Sequence, residues 1–186
     1  MTPTGLVHPR ARTTLTAIVS NAGSSARGKR PKPMSRKIRI SIPGESASAI
    51  ADLLEDDAPN TCDAIWNLLP LRVKAMHDIW SGHQVLVHLD KSVALQPENV
   101  LTYLPMPGDV FYYYRPPHYF RGSPYGRSES AELGIVYDRD TRPQGPRGPE
   151  AVNLFANISS GLEGLAKACE DMIYRGQKHL VIEKVE

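Results

Sequence analysis

His77-Asp78-Ile79-Trp80-Ser81-Gly82-His83 puts two imidazoles, a carboxylate and a hydroxyl into one short stretch. Such a set could serve hydrolysis, with a histidine as base and Ser81 as nucleophile. In an extended chain His77 and His83 would face the same side, too far apart to share a ligand without a bend. The competing reading is a tight turn with polar surface residues. No His-x-His or His-Glu-x-x-His spacing is present, so neither a metal nor a cofactor is expected.

A second group is Arg115-Pro116-Pro117-His118-Tyr119-Phe120-Arg121-Gly122-Ser123-Pro124-Tyr125-Gly126-Arg127. Prolines would stiffen this loop, so its rings could form a preset wall. The arginines could hold a carboxylate or a planar amide in bidentate fashion. Equally, the loop could be a subunit contact, since Tyr and Arg favour interfaces. A third group runs from Asp138 to Glu150 and mixes five arginine and aspartate charges with Gly and Pro before its final glutamate. It reads as a loop joining two strands, in which Arg139 and Arg142 pair with Asp138 and Asp140. The alternative is a lid over the barrel face carrying Asn153 and Phe155. No Gly-Lys-Ser/Thr follows, so the glycines make no phosphate loop.

These groups must be positioned by short strands. Ile38, Ile40 and Ile42 alternate with Lys37, Arg39 and Ser41, the period of a half-buried strand. Ala49–Leu54 can form a second strand or a helical turn. Asp57 is placed to cap a helix over Ala58–Leu69, where Cys62, Ile65, Trp66 and Leu69 share one face and Trp66 is assigned to the core. Further alternations centre on Val85, on Phe111-Tyr112-Tyr113-Tyr114, on Ile135 and on Phe155. A clear amphipathic helix covers Leu162–Arg175, with Gly176 as its C-terminal cap, and Leu180-Val181-Ile182 returns as a last strand. Many short strands between Gly/Pro turns, with two helices, predict a mainly β fold: a closed β-barrel with two capping α-helices.

Charge is unevenly placed. Of 22 Lys and Arg, six lie in residues 1–33, which have no acid, so the remainder carries 16 basic against 20 acidic residues. A mildly acidic folded part argues against nucleic acid as a partner, and the apolar runs are too short to span a bilayer as helices. Residues 1–33 are rich in Ser, Thr, Gly, Pro and basic residues without apolar periodicity, and are expected to be a disordered leader. Met34 could be the natural start, which makes residues 34–186 the folded domain. Cys62 and Cys169 fall at apolar helix positions, which fits buried thiols and a reducing cytoplasm.

Asp57-Ala58-Pro59-Asn60-Thr61 before the first helix, and Asn153-Leu154-Phe155-Ala156-Asn157-Ile158 followed by Gly161-Leu162-Glu163-Gly164-Leu165, resemble segments of the cyclophilin-like barrel. The resemblance covers residues 35–185. More closely, the chain is similar to a bacterial family of uncharacterised proteins with that fold, through Leu69-Pro70, Trp80-Ser81-Gly82, Met106-Pro107-Gly108-Asp109-Val110 and Tyr125-Gly126. The prolyl isomerases of the fold carry a Phe-His-Arg strand and a Phe-Met-x-Gln-Gly-Gly segment. Leu71–Trp80 has neither, so prolyl isomerase activity is disfavoured.

The combined expectation is a barrel that binds or converts a small amide- or carboxylate-containing metabolite. His77 and His118 are the candidate catalytic groups, and Trp80, Tyr125, Arg127 and Asn153 the candidate ligand-binding groups. The other class is a non-catalytic interaction protein. Tyr112, Tyr113, Tyr114, Tyr119 and Phe120 offer much aromatic surface, and a homodimer is the expected assembly.

Overall fold

The isoleucines of the first alternating segment are all buried while Arg39 between them is exposed. This makes Lys37–Ile42 a strand with one inward face. The computed structural model describes residues 35–98, 101–120, 122 and 126–185. The expected leader, residues 1–33, lies outside the described residues. In chain order the elements are β1 (Lys37–Ile42), β2 (Ala47–Leu53), α1 (Pro59–Leu68), β3 (Leu71–His77), β4 (Gln84–Leu89), β5 (Leu101–Thr102), β6 (Asp109–Arg115), β7 (Ser130–Val136), β8 (Gln144–Gly145), β9 (Gly148–Pro149), β10 (Val152–Ser160), α2 (Leu162–Arg175) and β11 (Lys178–Val185).

Strand order in the main sheet is β2-β1-β11-β3-β4-β7-β6-β10. β10 then pairs with β2, Ile158 opposite Ala51, and the sheet closes. The protein is thus mainly β, a closed eight-stranded antiparallel barrel with two helices. Closure matters because an open edge would leave a row of backbone donors and acceptors unpaired. β5 adds a short piece beside β10, and β8 and β9 form a separate hairpin.

Both helices bury their apolar stripes in the barrel core, through Cys62 and Ile65 of α1 and Leu165, Ala168, Cys169 and Met172 of α2. Each fully buried Ile or Leu contributes roughly 1.5–3 kcal/mol by transfer from water. Their ends match the expected spans to within a residue, and Gly176 caps α2 by donating its N–H to Met172 O at 3.0 Å. The start of α1 differs from expectation. Its N-cap position is Ala58, without a side-chain cap, and Glu98 serves instead by accepting from the Asn60 and Thr61 N–H groups. Trp66 packs against the margin of the core as expected, but it is only half-buried, with Arg36 and Lys184 over its ring.

Two elements went unread in the sequence. Leu71–His77 is a full barrel strand, paired with β11 and β4. The Asp138–Glu150 segment carries the β8–β9 hairpin rather than a featureless loop. β10 also breaks its own alternation: a register shift between Leu154 and Ala156 lets Phe155 and Ala156 both enter the core. Among the described residues no helix is long and apolar enough to cross a membrane.

Candidate functional site

A second, smaller apolar cluster of Phe111, Val136 and Val152, with Leu86 and Tyr113 against it, is separate from the barrel core. Tyr112, between Phe111 and Tyr113, belongs to the main core, so by strand alternation this cluster lies on the outer face of β4, β7, β6 and β10. Pro143, Gln144 and Glu150, from the hairpin segment, share a small cavity with it. An outer barrel face that is covered in this way becomes a place where polar groups can be buried.

Strand register brings charges together there. His88, Glu132 and Tyr113 occupy one cross-strand row over β4, β7 and β6. Arg115 lies two residues beyond Tyr113, on the same face. It leans back so that its guanidinium sits 4.5 Å from the Tyr113 ring centroid and Nη1 donates to Glu132 Oε1 at 2.8 Å. His88 Nδ1 is 3.1 Å from the same oxygen. Burial alone would push the Glu132 carboxyl up, but hydrogen bonds from His88 and Arg115 and their charge outweigh it and hold it down at about 2. The hydrogen bond to Glu132 raises His88 in turn.

Glu150 is the opposite case. It is 7% exposed, and neither carboxylate oxygen has a hydrogen-bond partner. Burial pushes its carboxyl up to about 7. Arg115 Nε is 3.9 Å from Glu150 Oε2, which should favour ionisation, but the guanidinium already answers Glu132 at shorter range and desolvation wins. Gly145 makes room for this side chain, since a Cβ there would collide with the Glu150 carboxylate. The cavity beside it is about 10 Å³ and also contacts Asp78 and Gln84. Tyr113 borders a second, open cleft of about 270 Å³, lined also by Tyr114, Pro116, Gln96, Ala151 and Asn153.

The residues expected to form a site are placed as follows. Asn153 lies in that cleft wall but is spent on structure: Nδ2 donates to Thr61 Oγ1 and Gln96 O, and Oδ1 accepts from Glu98 N. Trp80 stands 90% exposed on a short 3-10 turn, Ile79–Ser81. His77 Nε2 meets Tyr137 Oη at 2.7 Å, its Nδ1 is buried without a partner, and burial holds its imidazole below the ordinary value. His118, with φ of 59°, and Arg127 are exposed, and Tyr125 lies outside the described residues. The cleft lining includes Asn153 but not His77, Trp80, His118 or Arg127. Ser81 is no nucleophile in this arrangement; its Oγ accepts from Gln144 N at 3.1 Å and its carbonyl from Arg142 N at 2.7 Å, fastening the hairpin segment. Among the described residues no cluster of His, Cys, Asp and Glu could hold a metal ion.

The cluster of Arg115, Glu132 and Glu150 was missed in the sequence as a unit. One signal was present: Glu132 interrupts Ala131, Leu133, Ile135 and Val136 in a strand otherwise apolar. Its partners His88 and Arg115 come from β4 and β6, and Glu150 from the chain just ahead of β10, a juxtaposition only the register reveals.

Fold and site together define a closed barrel protein with a buried ion cluster on its outer wall. Residues 40–183 match the family described as a protein of unknown function, DUF3830, and the chain belongs to that family. No curated protein matches it. Among solved structures it is similar to McbB in complex with tryptophan, at 13% identity and a TM-score of 0.54, covering 78% of this chain and 44% of that one. The chain thus spans under half the length of McbB, and the likeness is one of fold. It is also similar to the hypothetical protein AF2241 from Archaeoglobus fulgidus, at 22% identity and a TM-score of 0.48, covering 85% of this chain and 99% of that one.

Proposed function

We propose that this protein binds a small amide- or carboxylate-containing metabolite on the outer barrel wall of β4, β7, β6 and β10, beneath the β8–β9 hairpin. The observation that carries the reading is Glu150, a buried carboxyl with both oxygens unpartnered and raised to about 7, beside an arginine in a covered pocket. Unpaired buried polar groups cost stability and persist where they serve a ligand or a reaction. In the enzymatic version of the reading, Glu150 exchanges protons near neutral pH. The order of strands, helix, strands, helix and strand supports a cyclophilin-like barrel, and two buried free cysteines suit a reducing, cytoplasmic setting. The test is thermal-shift screening of the full chain against small amides and carboxylates, repeated with Arg115→Lys. Stabilisation by such ligands that weakens in the variant supports the reading; equal shifts in both proteins reject this location.

A second reading, a self-associating interaction protein, is favoured by one observation. Trp80 and Tyr174 are the most exposed large apolar side chains among the described residues, at 90% and 83%, and Ile79 beside Trp80 is 62% exposed. Of the aromatic residues expected to offer surface, Tyr112 is inside the barrel, while Tyr113, Tyr114, Tyr119 and Phe120 are half-buried.

A further inference from the structure

Beneath the hairpin a particular set of hydrogen-bonding atoms is left over. Glu150 Oε1 and Oε2, Gln84 Oε1 and Arg115 Nε are all buried without a partner, with Gln84 only 1% exposed. The three residues line one cavity, walled also by Leu86, Phe111 and Tyr113. Gln84 and Arg115 each also make a bond that orients the side chain. Gln84 Nε2 donates to Asp78 Oδ2 at 3.1 Å, which leaves its carbonyl oxygen as the open end. Arg115 Nη1 donates to Glu132, whose carboxylate also meets His88. The buried atoms with no partner at all are therefore three acceptors and one donor.

A carboxylate fits this set poorly. It brings only acceptors to a pocket whose wholly unpartnered atoms are three acceptors against one N–H, and it must approach Glu150, Glu132 and Asp78 beside a guanidinium already paired with Glu132. An amide fits well, because it presents N–H donors and a carbonyl acceptor side by side. We infer that the group taken by this pocket is a neutral carboxamide or ureide, its N–H groups donated to Glu150 and Gln84 and its carbonyl accepting from Arg115 Nε. This rests on the binding reading proposed above and narrows it to one of its two ligand classes. The apolar walls strengthen such bonds by excluding water and penalise an uncompensated charge. The enclosed space is about 10 Å³, roughly that of one water, so the hairpin must lift to admit an amide. Its fastenings are the Ser81 carbonyl and hydroxyl, which accept from Arg142 N and Gln144 N, the contact of His83 Nδ1 with Arg139 O, and Arg147 over the Tyr119 and Phe120 rings.

Ionisation of Glu150 tunes the choice. The charged and titratable groups in its surroundings are Arg115 from β6, Glu132 from β7 with His88 of β4 behind it, and Asp78 ahead of β4; Gln84 and Gln144 are the neutral polar neighbours. As pH rises through its titration, Glu150 becomes a better acceptor for N–H and a stronger repellent for an anion. Preference for amide over carboxylate therefore grows with pH.

The experiment uses the full chain, with benzamide and benzoate as probes of equal ring and different head group, titrated by ligand-observed NMR at pH 6 and pH 8. Benzamide is expected to bind tighter by about tenfold or more at pH 8, the worth of one or two hydrogen bonds, with a smaller gap at pH 6. Glu150→Gln should flatten most of the pH dependence of the ratio, leaving only what His88 contributes through Glu132. Gly145→Ala, which crowds the carboxylate without changing charge, should weaken benzamide while the unfolding midpoint shows a folded protein. Benzoate binding as tightly as benzamide at pH 8, and weakened in Arg115→Lys, would overturn the amide assignment while leaving a small-carboxylate site standing. If neither probe binds, both the amide assignment and the broader reading fall.

Discussion

Glu98 closes the N-terminus of α1 on Thr61, a partner 37 residues away, accepting from the Thr61 N–H at 2.8 Å through Oε2 while Oε1 accepts from Asn60 N at 2.9 Å. The strap of chain from Val93 to Glu98 is held also by Tyr112, whose hydroxyl donates to Val93 O and accepts from Val93 N. Burial works against the ionised Glu98, but hydrogen bonds from Thr61 and Asn60 outweigh it and hold the carboxyl below its ordinary value. Glu98→Ala is expected to cost about 1–2 kcal/mol, as for loss of a helix cap, measured by urea unfolding at pH 7. Because the folded value is depressed, this contribution is present above the unfolded value near 4.5 and is lost as pH falls through the folded one. A variant as stable as wild type at pH 7 would mean the strap is held by other contacts.

Glu132 and Glu150 should give stability profiles of opposite slope. Glu132, held at about 2, contributes stability above its unfolded value of 4.5 that disappears as pH falls toward 2. Glu150, raised to about 7, favours folding below 4.5, and that contribution is lost as pH rises through 7. Wild type should therefore lose about 1–3 kcal/mol relative to Glu150→Gln between pH 5 and pH 8, the usual cost of an unmet buried polar group. Glu132→Gln should cost about 3–5 kcal/mol at pH 7, since it strands the Arg115 charge. Chemical denaturation at three pH values reads both slopes.

Much of the barrel could be read from period-two alternation, because a strand with one wet face writes its burial into its sequence. Ile38, Ile40 and Ile42 show it, and so do Leu71, Val73 and Ala75 against Arg72 and Lys74, although that strand was passed over. The outer-wall cluster was not legible in the same way. Glu132 meets Arg115 and His88 only because β7 lies between β6 and β4, and strand order is a long-range fact that no local pattern encodes. The outward placement of Trp80 was equally illegible, because the direction of a ring on a three-residue turn is set by the turn's backbone and not by its neighbours in sequence.

Gly82 carries a φ of 94°, and a Cβ there would collide with the Asp140 carbonyl. Gly82→Ala combines a disfavoured backbone with a clash and is expected to cost about 1–3 kcal/mol. The damage should appear first in the hairpin segment that this turn fastens. Amide hydrogen exchange at Arg142 and Gln144, which donate to Ser81, should accelerate ahead of exchange in β1 or β11. Uniform acceleration throughout the barrel would show that the turn acts on global stability alone.

All eight barrel strands lie between Lys37 and Val185. Removal of residues 1–33 is therefore expected to shift the thermal midpoint by no more than about a few degrees. A larger drop in a calorimetric comparison of full and shortened chains would show that the leader contributes to the fold.

Trp80 gives the last prediction. Its ring is 90% exposed, on a turn otherwise fixed by Ser81 to the hairpin segment and flanked by Ile79 at 62% exposure. Leaving a large ring in water gains nothing for the monomer, whereas burying it in a partner recovers roughly 25 cal/mol for each Å² covered. If the chain self-associates through this surface, two-fold pairing is the commonest geometry, and light scattering at micromolar concentration should give twice the chain mass of 20.5 kDa. Trp80→Ser should then return the monomer while leaving the unfolding profile of the isolated barrel intact, since the ring supports nothing beneath it. A dimer that survives Trp80→Ser would place the interface elsewhere, and a monomeric wild type would reject self-association and leave the outer-wall pocket as the functional surface.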